Sequence, residues 1–378
     1  MSLLRSERFA ASLLLAAAAA GLVIANSPAG PAVVAFSHLH PAPAPFDLSI
    51  THWVQDGLLA IFFFGVSVEL QFEITRGELS SVRRAVQPAI AALGGVAVPV
   101  LLYLAVTAGR GVAEGWPVPT ATDVAFALGV LAVFGRGLPA GIRAFLLALA
   151  IIDDIVGIVL ITLLYATDLR WGMLGLAVAG MVVFAVLSRR VGGRHPVLVG
   201  VAMGVVAVAT WCGVLLSGVH PTIAGVLLGL AMAQGPALRT RHALEPWINA
   251  VILPVFAFVA ALVAIPAVGT GVSWAFWGVL VALPVGKLVG ITAAAWISQR
   301  TIGRRGEQFA VGDLLAVSAL GGIGFTVSLL LASLAFTGGA SDRDAATLGV
   351  LAGSLVSIIA GAVLVAWRAR LARRKECP

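Results

Sequence analysis

Residues 147 to 160 read LALAIIDDIVGIVL, so the carboxylates of Asp153 and Asp154 stand in a run otherwise built of Leu, Ala, Ile, Val and one Gly. A further charge, Lys287, sits in the equally apolar LPVGKLVGI, and Asp123 follows Thr122 in GWPVPTATDVAFALGV. Adjacent carboxylates supply hard oxygen ligands of the kind small alkali and alkaline-earth cations prefer. At neighbouring helix positions, ionising one disfavours ionising the other, and a nearby ammonium favours the charged form of one of them. Such a cluster holds protons under one condition and a small cation under another, the minimum requirement for exchange. Two other readings stand beside this one. A structural salt bridge between Lys287 and one aspartate leaves the second aspartate unexplained, and a charged, water-filled cavity supplies solvation alone.

The surrounding composition decides what these charges are dissolved in. With 60% hydrophobic and 11% charged residues and a mean hydropathy of +1.05, the 378-residue chain lies far from soluble domains, where about a quarter of residues are charged. It reads as an all-α integral membrane protein, a single polytopic domain over 1–378. Twelve candidate transmembrane helices fall near 9–26, 52–74, 86–108, 118–135, 140–166, 171–188, 195–214, 217–234, 246–267, 273–298, 308–336 and 346–367, most reaching the roughly 20 residues a crossing needs. Period-2 alternation is absent, which excludes a barrel. The first span is rather long for the apolar region of a secretory signal and is read as a helix. An ionised group near the middle of a membrane helix costs about 2.5 to 3.5 kcal/mol, so Asp153, Asp154 and Lys287 unpaired would cost roughly 8 to 10 kcal/mol.

Orientation follows from the 24 Lys and Arg residues. The even-numbered connections and both ends hold nearly all of them, from Arg5 and Arg8 through Arg83, Arg84, Arg136, Arg189, Arg190, Arg194, Arg304 and Arg305 to the basic tail 368–378. The odd connections hold Arg110, Arg170 and Arg343. Both termini are therefore expected in the cytoplasm. The net charge of +7 is topological, and nucleic acid is not an expected partner.

Two spans are interrupted at depth. Pro117, Pro119, Thr120, Thr122 and Asp123 delay the fourth, and Gly321, Gly322 and Gly324 in SALGGIGFTVS break the eleventh. Paired breaks in corresponding positions of two halves point to discontinuous helices around a midplane ion site. Their ends carry partial charges, positive at N-termini and negative at C-termini. Asp123 can neutralise the former and Lys287 the latter; alternatively Asp123 is the N-cap of a helix that starts late.

The stretches HWVQDGLLAIFFF, PTATDVAFALGVLAVFG, FLLALAIIDDIVGIV, SGVHPTIAGVLLG, ILPVFAF, GKLVGI and GGIGFTVSLLLASLAF resemble, in order and along nearly the whole chain, those of the NhaA-type sodium/proton antiporters. The resemblance implies inverted-topology repeats, near 86–166 and 273–367, with the fourth and eleventh helices crossing as discontinuous helices. It implies electrogenic exchange of cytoplasmic Na+ or Li+ for external H+ across a bacterial inner membrane. It makes Asp154 the main cation ligand, Asp153 its partner in binding cation and proton and in pairing with Lys287, and Thr122 and Asp123 supports. Asp56 and the i,i+4 pair Glu69 and Glu73 match acidic positions of the family's cytoplasmic funnel, although they read equally well as surface carboxylates. His220 matches a family histidine and is a candidate for pH response, though such a lone His more often serves packing or hydrogen bonding.

This chain also departs from the family. Gln71 and Phe72 replace a basic pair after Glu69, the entry to the ninth span is a shortened RTRHALEPW carrying Arg241 and His242, and AFVAAL replaces an AFANAG-like element. These changes bear on pH response rather than on the ion site. The family's external β-hairpin joins two protomers, but residues 28–50 form a Pro-rich loop here, and Pro41, Pro43 and Pro45 cannot donate ladder hydrogen bonds. A homodimer is thus an expectation that the sequence weakens. No cofactor is expected, Cys212 and Cys377 make no disulfide framework, and neither a nucleotide loop nor a nucleophile with a base suggests an enzyme. A sodium-coupled solute symporter of related architecture is the alternative, and would need a polar pocket for an organic substrate. A non-transporting scaffold would have no use for the three buried charges.

Overall fold

A computed structural model of the chain describes residues 7–77, 80, 82–135, 138, 140–164, 169–193, 195–265, 272–302 and 308–376. The side chains of 7, 8, 82–84, 140, 154, 155, 158, 161–164 and 374–376 also lie outside the described residues. Asp154 is therefore placed by its backbone alone, and Arg5, Arg136, Arg194, Arg304, Arg305 and Cys377 of the sequence reading are not described.

The described residues form helices and no strand. In chain order they are α1 (Glu7–Ala25), α2 (Gly30–Ser37), α3 (Ile50–Thr75), α4 (Val82–Val106), α5 (Val124–Phe134), α6 (Ala140–Leu164) and α7 (Trp171–Ser188). There follow α8 (Pro196–Leu216), α9 (Thr222–Ala231), α10 (Gln234–Ala260), α11 (Trp274–Thr301), α12 (Val311–Gly321), α13 (Phe325–Ala335) and α14 (Ala340–Glu376). In lipid every backbone N–H and C=O must be paired within the chain, which favours helices for runs this apolar. Among the described residues seven helices are long and apolar enough to cross a membrane, and ten if each bent pair counts as one span.

Four sequence expectations need correction. The segment 28–50 contains α2, with Pro31 in its first turn where a missing N–H is harmless. The eighth candidate, 217–234, is only a ten-residue helix, because the SGVHP corner ends one helix and delays the next. The ninth begins at Gln234, so RTRHALEPW lies inside α10 rather than ahead of it. The twelfth runs on through the basic tail to Glu376, since nothing in WRARLARRKE breaks a helix.

The chain divides into two compact units, one of residues 1–5, 16–77 and 158–262, the other of residues 6–15, 78–157 and 263–378. In the first, α3 packs against α9, where Gly225 meets the Ala60 backbone and Gly229 meets Phe64 and Ser67. Helices α7 and α8 pair beside them through Gly180 against Thr210 and Gly213 against Ala177. In the second, α4 lies along α11, and a β-carbon on Gly94 would run into Ala294 and the Gly290 backbone. Small residues let membrane helices approach this closely, where dispersion rather than water exclusion drives association.

Three helices widen locally into π-turns, at Trp53–Leu58, Ile248–Ile252 and Ala282–Gly286. Pro246, Pro254 and Pro284 remove donors within or beside two of them, and wide turns of this kind recur at functional sites. Asp56 lies in the first and Lys287 follows the third directly. Replacing Gly94 by Leu is expected to force α4 off α11 and destabilise the protein by about 1 to 3 kcal/mol. Thermal unfolding of the detergent-solubilised chain would then fall by several degrees, and an unchanged midpoint would deny the close packing of these two helices.

Candidate functional site

Two interrupted helices come together in the second unit. The segment 113–120, two short 3-10 turns, meets α5 at a 42° bend, and α12 meets α13 at 48°. At the first break the extended backbone of Ala121 ends the turns, and α5 restarts behind Asp123. At the second, Gly322 and Gly324 have ordinary φ values of −76° and −88°. Here glycine provides room rather than backbone freedom: a β-carbon on Gly321 would strike Ile291, on Gly322 the Ser357 hydroxyl, and on Gly324 Ser328 and Leu283.

The broken ends are matched one by one. Asp123 Oδ1 accepts from the N–H of Phe126 at 3.0 Å, while its Oδ2 accepts from the N–H and hydroxyl of Thr326 at 3.2 and 2.8 Å. One carboxylate thereby caps both α5 and α13, and the Ser354 hydroxyl takes the Phe325 N–H at 3.2 Å. On the carbonyl side, the Asp123 N–H donates to Ile323 at 2.5 Å, and Thr122 Oγ1 lies 2.7 Å from the Gly321 carbonyl. The Lys287 ammonium donates to the Thr120 carbonyl. Each charged group thus faces the helix ends of opposite partial sign.

Lys287 also reaches α6. Its Nζ is 2.7 Å from Asp153 Oδ2 and 3.2 Å from Thr122 Oγ1, and both charged side chains have 0% exposure. Thr122 Oγ1 lies 2.7 Å from that same Asp153 oxygen. A hydroxyl has one hydrogen, so Thr122 donates either to Asp153 or to Gly321 at a given moment. Asp153 Oδ1 is buried and has no hydrogen-bond partner among the described residues. Asp154 is the next residue of α6, and its side chain lies outside the described residues. Among the described residues no three of His, Cys, Asp and Glu gather as a metal cluster.

Comparison with known proteins gives this arrangement a lineage. The Na+/H+ antiporter 1 family model matches residues 1–365. The chain belongs to this family. It is 56% identical to the Na(+)/H(+) antiporter NhaA 2 of Clavibacter michiganensis, over 99% of this chain and 93% of the relative. It is 42% identical to the Na(+)/H(+) antiporter NhaA of Tropheryma whipplei, over 97% and 95%. The solved sodium proton antiporter MjNhaP1 of Methanocaldococcus jannaschii shares the fold, with a TM-score of 0.55 at 15% identity over 97% of this chain and 92% of that one. The helical chain of this family is a multi-pass membrane protein.

The remaining candidates lie in the first unit. Asp56 is buried, its Oδ1 3.4 Å from His220 Nε2, and His220 Nδ1 meets the Thr222 hydroxyl at 2.8 Å. The indole N–H of Trp211 donates to the Asp56 carbonyl at 2.9 Å. Glu69 pairs with Arg241 across α3 and α10 at 2.8 Å, Glu73 is half-buried, and His242 is exposed. Gln71 donates to the carbonyls of Leu230 and Met232 at 2.7 and 2.8 Å.

Sequence reading missed Ser354 and the double capping by Asp123. Ser354 is one hydroxyl in the apolar run of α14, and only the approach of α13 gives it a partner. Asp123→Ala is expected to uncap both helices and destabilise the protein by about 1 to 2 kcal/mol per cap, with Asp123→Asn losing much less. Unfolding in detergent would compare them, and equal midpoints for alanine and wild type would deny the caps. Lys287→Met leaves a buried carboxylate unpaired, so it should destabilise more than the double variant with Asp153→Asn; a double-mutant cycle reads the difference.

Proposed function

We propose that this chain is an electrogenic antiporter that exports cytoplasmic Na+, or Li+, in exchange for external protons, serving sodium and pH homeostasis. Asp153 and Asp154 bind cation and proton, and Thr122, Asp123 and Lys287 position them. The observation that carries this reading is the buried Lys287–Asp153 pair at the broken helices, with one Asp153 oxygen unpartnered among the described residues and Asp154 next in the chain. An unmatched buried carboxylate oxygen accepts a proton or joins the coordination of a small hard cation. Buried polar atoms are as a rule paired, so an unmatched carboxylate oxygen calls for an explanation. The hydroxyl of Thr122 and the carbonyl of Gly321, 2.7 Å apart, are further oxygens of the hard kind.

Cation binding and protonation compete for the same carboxylates, so each species displaces the other. The Lys287 ammonium pairs with Asp153, and its donation to Thr120 keeps it at the break when that pairing loosens. Exchange of more protons than sodium ions moves net charge, and the membrane potential then contributes roughly 2.3 kcal/mol per charge at 100 mV.

The same reading supplies the topology. The ten apolar spans, with α6 and α9 added, make the twelve crossings, and the two bent pairs of the second unit are the crossing fourth and eleventh helices. The inverted repeats, near 86–166 and 273–367, are supported by a recurrent pattern: a long helix, a helix broken near its middle, and a long helix. Both termini lie in the cytoplasm of a bacterial cell. Asp56, Glu69, Glu73, His220 and His242 belong to the funnel and pH response. A symporter is less well supported: the cavity of about 710 Å³ in the first unit is lined almost throughout by apolar side chains such as Phe64, Met203, Ala207 and Leu228, which would not bind a polar organic solute.

Sodium-induced pH change in proteoliposomes across pH 6.5 to 9 tests the proposal, with wild type beside Asp154→Asn and Asp153→Asn. Wild type is expected to move protons on sodium addition and Asp154→Asn to lose at least 90% of that response. A folded wild type without response, or an Asp154→Asn variant with full response, would sink this assignment.

A further inference from the structure

The C-terminal end of α14 is longer than a membrane crossing requires. Its 37 residues extend about 55 Å, against about 30 Å of hydrocarbon core and about 40 to 45 Å with headgroups. Val356, Ile359, Val363 and Trp367 form an exposed stripe at helical spacing, the tryptophan at 49% exposure. The stripe then changes character without a break, for Arg370 and Arg373 follow it and are exposed. Among the described residues Arg370 forms no ion pair, and Arg373 reaches only the Ala369 carbonyl of its own helix at 3.3 Å. Arg368 is differently employed, its Nε donating to Asp313 at 2.8 Å while its guanidinium lies 5.9 Å from the Trp367 ring centroid.

A second tryptophan fixes the level. Helices α11 and α14 run in the same direction, Gly349 against Phe276 and Gly353 against Leu283. From the contact of Leu283 with Gly353, Trp296 lies about 20 Å further along α11 and Trp367 about 21 Å further along α14. The Trp296 ring also carries an arginine, Arg300, at 4.1 Å. Tryptophans concentrate at the boundary between hydrocarbon and headgroups. Two at one level mark that boundary, and the side chains of Arg370 and Arg373 then stand in the headgroup layer.

We propose that the end of α14 is a docking surface for anionic phospholipid headgroups, with Arg370 and Arg373 binding the phosphate and Val363 and Trp367 lying against the acyl chain. A guanidinium forms paired hydrogen bonds to phosphate oxygens, and a row of basic side chains next to a membrane helix attracts anionic lipid. The adjoining apolar stripe selects a lipid over a free phosphate. This surface is independent of the exchange reaction.

The full-length chain in detergent tests it, titrated with phosphatidylglycerol, phosphatidylcholine or glycerol 3-phosphate, with bound lipid counted by native mass spectrometry. Wild type is expected to prefer phosphatidylglycerol, to release it as KCl rises, and to be indifferent to glycerol 3-phosphate. Arg370→Gln with Arg373→Gln should bind one phosphatidylglycerol fewer, its affinity at that site falling about fivefold per arginine, with phosphatidylcholine unchanged. Arg110→Gln with Arg170→Gln, an equal loss of charge away from the surface, should behave as wild type. Undiminished phosphatidylglycerol binding by a double variant of wild-type unfolding temperature would overturn the proposal. So would competition by glycerol 3-phosphate, or a dimer that dissociates in the variant while lipid binding stays, which would assign the surface to a second copy.

Discussion

A charge at membrane depth has no water to solvate it, and the architecture of the second unit is organised around that constraint. Lys287 and Asp153 satisfy one another at 2.7 Å, but a simple pair would still leave donor hydrogens and acceptor lone pairs exposed to a medium of low polarity. The broken helices supply the remainder. Their unpaired carbonyls and N–H groups, a liability anywhere else in a bilayer, become partners for Lys287, Thr122 and Asp123. Charges and chain breaks are mutually necessary: removing either strands the other.

The matching is incomplete at the ion pair itself. Asp153 concentrates its described bonds on one oxygen and leaves the other buried and unpartnered. Thr122 faces two acceptors with one hydrogen. A fully satisfied network would be rigid and inert; one unmatched oxygen and one ambivalent hydroxyl leave places where a proton or small cation changes the arrangement of bonds. Glycine serves the same end, since Gly321, Gly322 and Gly324 allow side chains from three other helices to close on the break.

The first unit shows the same economy with different parts. Asp56 sits in a π-turn, where the widened backbone frees a carbonyl for Trp211, and its carboxylate faces His220. At another place on α3 a Glu69–Arg241 pair and the amide of Gln71 tie that helix to α10 and to the end of α9. Gln71 satisfies two carbonyls with no charge at all.

Much of this was legible in the residues alone. Hydropathy determines that the chain is a bundle of membrane helices, because apolar length and missing period-2 alternation leave few alternatives in lipid. Isolated charges in apolar runs identify Asp153, Asp154 and Lys287, since their burial is too unfavourable to be incidental, and Pro and Gly clusters locate the breaks. Local sequence was less informative about extent: the start of α10 at Gln234, the helix at Gly30–Ser37 and the continuation of α14 to Glu376 lie in polar or Pro-containing stretches that hydropathy reads as loop. The partners were read only in part: the family resemblance paired Lys287 with Asp153, and the breaks called for a cation at the carbonyl ends. That Asp123 caps two helices rather than one, that the carbonyl Lys287 meets is that of Thr120, and that Ser354 meets Phe325 depend on segments far apart in the chain arriving at one point. Sequence determines which groups need partners, because desolvation is a property of each residue; tertiary structure decides which partner each receives, because hydrogen bonds are settled by distance and direction.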